Sequence, residues 1–422
     1  MTSVEAVLAP RSDPSELIGL ASLAKHAFDG GDLGPMSSDL IRRMIAEPEN
    51  AAVLMDLATI EHLYGNRGDA LDLQRRALER RCIYRRPSAM PGQNELRLLA
   101  FMAPGDFMAN TPLEFLLDGS NVRLDMLYVV PGAPQPEAVP DHDLAFVAVG
   151  ESDENQSLLR ALEPVVRTWP RPVLNAPERI AQLSREGTWE LLRSAPGIAI
   201  PPTLRLARER LARLASEGAA IQGTRDTQFP IIARPIGSHA GQGLTKLETP
   251  AAVLVYLRAR PEPEFYVARF VDYRGADGLF RKYRIVLIDG RPYACHMGVS
   301  EHWMIHYLNA GMRESAGKRA EEARFMAEFD QDFARRHARA LDALAKRVGL
   351  DYFGIDCGET PEGELLIFEA DVAMIVHAMD PPDLFPYKGP QMRKVFDAFR
   401  AMLEKVAERP SPSIPARLAA RN

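Results

Sequence analysis

Hydrophobic and polar positions follow two different periods along the chain. Up to about residue 88, apolar residues recur at helical spacing, which predicts a helical segment. From residue 95 onward, short apolar runs predict strands at 96–102, 122–130 and 144–149, and a helical pattern follows at 157–168. Strands and helices that alternate at this length predict a small parallel sheet with covering helices.

The second half of the chain predicts a mixed α+β region. Helices are expected at 177–194, 250–258, 320–348 and 391–407. Strands are expected at 229–233, 265–271, 281–288, 291–296, 352–357 and 364–369. Asp289-Gly290 is a two-residue turn typical of a β-hairpin, so the strands on either side of it are expected to pair.

The helical segment contains a pattern of small residues in 50–80. Ala58, Gly65, Ala70 and Ala77 stand where a tetratricopeptide repeat needs small side chains for close helix contact. The segment resembles one such repeat preceded by a helix pair, although a plain helical hairpin fits the same pattern. Because one repeat cannot bury its own apolar face, we expect it to dock on the rest of the chain or on a protein partner.

Composition argues against a nucleic-acid-binding, a disulfide-rich and a membrane-spanning protein. The 422 residues are 46% hydrophobic, enough for two to four domains, and the net charge of -6 gives no global reason to expect nucleic-acid binding. Cys82, Cys295 and Cys357 form no CxxC pattern, which favours a reducing cytosol over a disulfide or zinc scaffold. We expect neither a signal peptide nor a membrane span, since no basic stretch precedes an apolar run and no apolar run reaches 18 residues.

The candidate metal site is the stretch DYFGIDCGETPEGELLIFEAD. Asp356 ends one predicted strand, and Glu369 and Asp371 end the next, with one residue between them. On an extended strand Glu369 and Asp371 share a face, and the hairpin brings Asp356 opposite them. Carboxylates that converge in this way suit Mg²⁺, although an exposed acidic hairpin gives the same pattern.

Two further stretches carry candidate phosphate-binding groups. In FPIIARPIGSHAGQGL, a strand leads through Arg234 into a glycine-rich loop, where backbone N–H groups can approach phosphate oxygens. In RKYRIVLIDGRPYACHM, Lys282 and Arg284 share one face of a strand and can present cations to a phosphate or carboxylate. A structural turn and a solvated basic edge are the alternative interpretations.

A histidine-rich stretch, HMGVSEHWMIHYLNAGM, follows the basic hairpin. His302 and His306 would share a helix face if the segment were helical, and His296 is close in sequence. Three interpretations remain: a zinc site, a buried cluster of histidines and aromatic residues, or the wall of a substrate pocket. His377 and Lys388, beyond the acidic hairpin, are expected either in that pocket or on the surface.

In their order, these elements resemble the ATP-grasp superfamily of carboxylate–amine ligases over about residues 95–405. The most specific likeness is Asp356 followed by Glu369-Ala370-Asp371 across a short hairpin. The resemblance implies four sequence domains: a helical unit at 1–90, an α/β domain at 91–175, ATP-grasp lobes at 176–408 and a Pro-rich tail at 409–422.

The resemblance also implies roles for individual residues. Asp356, Glu369 and Asp371 would hold Mg²⁺, or Mn²⁺ in its place, against the phosphates of ATP, and Arg284 would face the transferring phosphoryl group. The other nucleotide contacts would come from the helix, the glycine loop, the hinge strand and the basic hairpin: Arg185, Arg234, Gly237, Ser238, Gly241, Gly243, Ala268, Arg269, Phe270, Val271 and Lys282.

Some positions depart from the family pattern. The family commonly has Lys where Arg234 and Arg185 stand, and the guanidinium differs from an ammonium in reach and geometry. Arg269 lies in the hinge, where an acidic residue is common nearby. Asp272 and Asp277 are the only close acids for a ribose contact.

The implied reaction is the ADP-forming activation of a carboxylate as an acyl-phosphate, which an amine then attacks. Amino acids or peptides are the expected substrate class, in a cytoplasmic enzyme without nucleic-acid or membrane partners. Because related ligases are often oligomeric, the resemblance also implies a homodimer. Two alternatives remain open: a nucleotide-binding regulatory module without turnover, and a kinase that stops at phosphoryl transfer.

Overall fold

The structure, a computed structural model, describes residues 15–92, 94–130, 138–217, 229–238 and 241–409. Its contacts divide it into two compact units. The first comprises Met1–Ala181, Leu350–Phe353 and Val372–Asn422, and the second comprises Gln182–Gly349 and Gly354–Asp371. The four sequence domains are a separate division of the chain and stay a prediction.

Helices and strands alternate through most of the described chain. The helices are Leu20–Phe28, Gly34–Ala46, Ala51–Tyr64, Arg67–Arg80, Leu113–Leu116, Gln156–Arg167, Pro177–Ile180, Arg185–Leu192, Arg208–Glu217, Pro250–Ala259, Ala316–Ala327, Phe333–Arg336, Ala338–Val348 and Lys388–Ala407. The strands are β1 (Ile83–Arg86), β2 (Leu96–Met102), β3 (Val122–Tyr128), β4 (Leu144–Val147), β5 (Val173–Leu174), β6 (Ile198–Ala199), β7 (Thr203–Ala207), β8 (Ile231–Pro235), β9 (Thr245–Leu247), β10 (Glu264–Arg269), β11 (Phe280–Ile288), β12 (Arg291–Ser300), β13 (Tyr352–Glu359) and β14 (Leu365–Asp371).

In the described part of the first unit four helices come first, and one of them, Ala51–Tyr64, is capped at both ends. Asn50 accepts a hydrogen bond from the N–H of Val53 at the start of Ala51–Tyr64, and Gly65 ends that helix with φ 84°. Buried Asp56 accepts hydrogen bonds from the N–H groups of Ile18 and Gly19, at 2.9 and 3.0 Å. These helices form an apolar cluster of their own, but whether they are a tetratricopeptide-like unit stays a prediction.

The first unit also contains a five-stranded sheet of order β1-β3-β2-β4-β5. Strands β2 to β5 are parallel, and β1 pairs antiparallel with β3. Phe399 of the helix Lys388–Ala407 packs against Phe146 of β4, with ring centroids 5.9 Å apart. The predicted small parallel sheet with covering helices is therefore confirmed.

The second unit contains two sheets. One is antiparallel, of order β7-β10-β8-β9, and the helices Arg208–Glu217 and Pro250–Ala259 pack on it. The other has the order β12-β11-β13-β14-β6. The Asp289-Gly290 turn joins β11 to β12, and both of its residues have positive φ, as the sequence predicts for a tight hairpin. The mixed α/β and α+β fold class is confirmed.

Two helix predictions were wrong in their extent. The predicted helix 177–194 is two helices, because the hydroxyl of Ser184 accepts a hydrogen bond from the N–H of Gly187 at 3.0 Å and starts a second helix there. The predicted helix 320–348 is interrupted at 328–332, where Phe329 turns inward and stacks on Phe333 with ring centroids 5.7 Å apart. No Gly or Pro lies in that interval to signal the break.

Other differences are local. The first 88 residues are not wholly helical, because Ile83–Arg86 pairs with β3 as a strand. The His302–His306 stretch is not a helix; only a short 3-10 turn, Tyr307–Asn309, follows it. The Pro-rich tail lies outside the described residues from 410 onward. No helix of the described chain is both long and apolar enough to span a bilayer.

Asn175 provides a test of the packing in the first unit. This buried residue has φ 58°, and its amide group bonds both backbone groups of Tyr352, accepting at 2.9 Å and donating at 2.8 Å. Asn175→Ala removes both of these buried hydrogen bonds, so we expect a loss of about 3 kcal/mol in the free energy of unfolding, measured in urea. Asn66→Ala, at an exposed position, is the control, and a loss below about 1 kcal/mol for Asn175→Ala would contradict this assignment.

Candidate functional site

A buried carboxylate lies at the centre of the candidate site. Asp356 in β13 is fully buried and accepts hydrogen bonds from Nε and Nη2 of Arg284, at 2.8 and 2.9 Å. Nζ of Lys282 lies 2.6 Å from its Oδ2. Burial opposes the ionisation of Asp356, but the charges of Arg284 and Lys282 outweigh it and hold the pKa of this carboxyl well below its usual range.

A β-bulge brings Glu369 to the same face as Asp356. The two residues are cross-strand partners, but the next pair is Cys357 with Ile367, so β14 carries one extra residue, Phe368. Without this bulge Ile367 and Glu369 would share a face. With it, Ile367 remains buried beside Cys357, and Glu369 stands opposite Asp356.

Glu369 is paired with a cation from the helix Arg185–Leu192. A guanidinium N–H of Arg185 donates to its carboxylate, and another donates to the carbonyl of Phe368 at 3.2 Å. Burial raises the pKa of Glu369, yet the charge of Arg185 brings it below its ordinary value despite the nearby charge of Asp356. The predicted nucleotide ligand Arg185 thus contacts the predicted metal ligand Glu369 directly.

The three predicted metal ligands, Asp356, Glu369 and Asp371, do not by themselves form a complete Mg²⁺ site. Asp371 follows on the same face of β14, opposite Gly354 in the ladder. In the described part of the chain, no group of three or more His, Cys, Asp or Glu side chains is arranged to hold a metal ion. Mg²⁺ commonly takes one or two protein carboxylates and completes its ligands with phosphate oxygens and water, so a full cage is not required.

Arg234, at the end of the antiparallel sheet, is a nearly buried cation. Its Nε donates to Oγ of Ser238 at 3.1 Å, and a second N–H donates to the Ser238 carbonyl. Among the described residues no carboxylate lies within ion-pair distance of it. Burial and then the charge of Arg185 lower the pKa of Arg234 to about 9, so the group keeps its charge at neutral pH.

The glycine loop folds back on Arg234. Gly237, Gly241 and Gly243 all have φ near +70°, a region that glycine adopts without strain. A β-carbon on Gly243 would also lie 2.6 Å from Cδ of Pro235. The loop conformation therefore depends on these glycines, although residues 239–240 lie outside the described part.

The hinge segment Ala268–Val271, predicted to contact the nucleotide, carries an aromatic surface. Ala268 is buried, and Arg269 is exposed at the end of β10. Phe270 has Nζ of Lys246 at 4.1 Å from its ring centroid and the ring of Trp303 at 5.5 Å. Val271 is half-buried beside it.

The two acids considered for the ribose are already engaged. Asp272 bonds Arg274, and Asp277 bonds Arg281, with closest distances of 2.6 Å in each pair. Hydrogen bonding to Arg274 and to Arg281, respectively, lowers the pKa of Asp272 and brings that of Asp277 to about 2. Neither geometry singles out a ribose ligand.

The histidine-rich segment lies on the same face of the sheet as Arg284. The sequence alone left the position of this segment open. His296 is the cross-strand partner of Arg284, and its ring lies 4.6 Å from that of Tyr307. Fully buried Glu322 accepts from the Tyr307 hydroxyl at 2.8 Å and from the Met297 N–H at 3.0 Å, which fixes the segment. Burial, then the charges of Lys282 and Arg284, lower the pKa of His306 and favour its neutral form.

This arrangement can bind a polyanion. Four cations contributed by three elements face two carboxylates, and one of those cations is buried with no carboxylate partner among the described residues. Sequence reasoning named all six groups but missed the contribution of Glu322, which no motif marks; its only signal was its place in the helix after the histidine-rich segment.

Neither a protein-family model nor a curated protein matches this sequence. Solved structures do match. The chain is similar in fold to ATP-grasp proteins. A RimK-domain ATP-grasp protein from Sphaerobacter thermophilus aligns at 16% identity with a TM-score of 0.40, over 73% of this chain and 99% of that one.

Two ligases give similar alignments. The D-alanine–D-alanine ligase from Bacillus anthracis complexed with ATP aligns at 14% identity and TM-score 0.45, over 74% of this chain and 99% of that one. The VanG D-Ala:D-Ser ligase from Enterococcus faecalis aligns at 14% identity and TM-score 0.43, over 74% of this chain and 100% of that one. Likeness at this level concerns the fold, so the chemistry depends on the side chains described above.

A double-mutant cycle tests the central ion pair without any assay of activity. Arg284→Met leaves the buried carboxylate of Asp356 with Lys282 alone, and we expect the free energy of unfolding to fall by about 3 kcal/mol. In the double variant Arg284→Met, Asp356→Leu no carboxylate is left to neutralise, so we expect a smaller loss than the two single losses together. Strict additivity of the two single changes in urea unfolding would contradict the pairing.

Proposed function

We propose that this protein is an ATP-dependent, ADP-forming ligase that activates a carboxylate as an acyl-phosphate for attack by an amine. The observation that carries the proposal is Arg234. Its guanidinium is buried, retains its charge and has no carboxylate partner among the described residues. The nearby charges of Arg185 and Glu369 both affect its pKa. A buried cation without a counter-ion is costly unless an anion arrives to neutralise it.

The remaining cations support a ligand with several negative charges. Lys282 and Arg284 pair with Asp356, and Arg185 pairs with Glu369, so that together with Arg234 the four cations exceed these two carboxylates before a ligand binds. A triphosphate would draw Arg185 and Lys282 toward its oxygens. The carboxylates so released would be available to a divalent cation that arrives with the nucleotide.

The protein's own groups supply what phosphoryl transfer requires. Such a transfer needs positioning and neutralisation of charge more than a covalent residue. Arg284 is held in a fixed orientation by its two hydrogen bonds to Asp356, which suits a group that faces the transferring phosphoryl oxygens. Glu369 and Asp371, with Asp356 opposite, would hold Mg²⁺ or Mn²⁺, which would supply positive charge against the phosphates.

The nucleotide base would lie along Ala268–Val271, with the aromatic surface of Phe270 and Trp303 beside it. We place the carboxylate and amine substrates, of the amino-acid or peptide class, against the segment containing His296 and His306. We also propose a cytoplasmic location, and contact with a protein partner or a second copy through the N-terminal helices.

Product analysis tests the reaction. The protein is incubated with Mg-ATP and pools of amino acids and peptides, and ADP, AMP and phosphate are measured together with a mass-spectrometric search for a ligated product. We expect ADP and phosphate that depend on the pool. Glu369→Gln should lower the turnover at least about 100-fold, because it removes a charge that must neutralise the metal, while Glu364→Gln, an exposed acid in the same hairpin, should retain it.

Each contrary outcome identifies an alternative. AMP and pyrophosphate would exclude the acyl-phosphate route, and a phosphorylated product without ligation would indicate a kinase. ATP that binds but is not hydrolysed with any pool would indicate a nucleotide-binding regulatory module. An unchanged rate in Glu369→Gln would remove that carboxylate from the mechanism.

Binding of a non-hydrolysable ATP analogue tests Arg234 independently of turnover. Arg234→Met should weaken the affinity by about 10- to 100-fold, since charge-assisted hydrogen bonds contribute about 1.5–3 kcal/mol. Arg258→Met, at an exposed position on the helix Pro250–Ala259, should bind as the unaltered protein does. Calorimetry measures the affinity and thermal unfolding verifies the fold; equal affinity in the folded Arg234 variant would contradict the proposed anion site.

A further inference from the structure

His306 lies in the segment that follows β12, and this segment docks beside the basic residues of β11. Lys282 of β11 is the cross-strand partner of Gly298. A β-carbon on Gly298 would lie 2.8 Å from Cγ2 of Ile305, so the absence of a side chain there lets this buried isoleucine lie against the strand. On the other side of His306, Tyr307 packs on the histidine ring of the same face of β12, with ring centroids 4.6 Å apart.

Hydrogen bonds hold the backbone of this segment in place. The N–H of His306 donates to Oδ1 of Asn309 at 3.0 Å, and its carbonyl accepts from the N–H of Asn309 at 2.9 Å. Further on, Nζ of Lys318, in the helix that follows, donates to the carbonyl of Ala310 at 2.6 Å. A backbone fixed in this way suits a side chain that must meet a reacting atom.

His306 differs from the other two histidines of this stretch. His302 is exposed, and His296 is packed against Tyr307. His306 is half-buried, and burial is the largest cause that lowers its pKa. The charges that act on this pKa are those of the proposed phosphoryl-transfer site: Lys282, Arg284, Asp356 and Glu369. The net lowering leaves the ring neutral at neutral pH and able to accept a proton.

The second step of the proposed reaction needs a base. An α-amino group has a pKa of about 7.7–8.0 and a lysine side chain one of about 10.4, so an amine substrate of this class arrives mostly as an ammonium ion. An ammonium ion has no lone pair with which to attack an acyl-phosphate. Asp356 and Glu369 are weak bases, because the cations beside them hold their pKa values below the ordinary range. A neutral imidazole is the better proton acceptor.

We propose that His306 is the general base of the ligation step and takes a proton from the ammonium group of the amine substrate. This role rests on the ligase function proposed above. The freed lone pair forms the C–N bond with the acyl carbon, and the C–O bond to phosphate breaks with its electron pair on the phosphate. The second proton that the nitrogen loses leaves with the phosphate, and His306 returns its own proton to water.

Hydroxylamine separates the base from the rest of the site, because it is largely unprotonated at neutral pH and attacks an acyl-phosphate without a base. The full chain is incubated with Mg-ATP and the amino-acid and peptide pools, with and without hydroxylamine. Mass spectrometry measures the ligated product, and the coloured ferric complex measures hydroxamate. His306→Gln should ligate at least about 100-fold more slowly, since general-base catalysis contributes about 10²–10⁴-fold, and should form hydroxamate at an unchanged rate.

His302→Gln, at the exposed histidine of the same stretch, is the matched control and should form both products as the unaltered protein does. His306→Ala provides a second measurement if the glutamine variant does not fold. Added imidazole should restore part of its ligation rate, because a free base can occupy the space that the ring leaves.

The role of His306 is overturned if folded His306→Gln ligates at the control rate, if it loses hydroxamate formation to the same extent as ligation, or if imidazole restores nothing in folded His306→Ala. ADP and hydroxamate from the unaltered protein would still support activation of a carboxylate in each of these cases. An unaltered protein that forms neither ADP nor hydroxamate with any pool contradicts the ligase function itself, and the base with it.

Discussion

The carboxylate of Asp356 is buried in the middle of a five-stranded sheet, where an unpaired negative charge would be very costly. It is tolerated because Lys282 and Arg284, on the neighbouring strand β11, both contact it. This pairing requires a continuous sheet across β11, β13 and β14, and it places the charged ends of two long side chains on one face. The arrangement that makes the buried acid stable also concentrates the cations that an anionic ligand needs.

Two irregularities of the strands decide which side chains reach that face. The bulge at Phe368 turns Glu369 toward Asp356, while Ile367 stays in the core. A second shift between Arg284 and Ile285 lets His296 stand opposite Arg284. Bulges occur often beside active sites because one extra residue bends the strand locally and re-aims a side chain.

The sequence was most informative where the period of apolar residues and the turn residues agree. The hairpin around Asp289-Gly290 and the acidic hairpin appear in the structure close to their predicted bounds. The break at 328–332 has no Gly or Pro to mark it, because it follows from the packing of Phe329 and Phe333. Likewise the ion pairs of Asp356 and the hydrogen bond from the Tyr307 hydroxyl to Glu322 are tertiary contacts, which one sequence cannot reveal.

The arginine at position 234, where the family resemblance favours lysine, has a physical reason in this structure. Burial and the neighbouring charge of Arg185 lower the pKa of Arg234 to about 9, which still leaves it protonated at neutral pH. A lysine begins from a lower pKa, about 10.4, so burial beside a second cation would leave it closer to neutral pH than it leaves an arginine. An arginine therefore keeps a full positive charge where a second arginine is close, and this favours a site that binds anions tightly over one in which the cation must lose its proton.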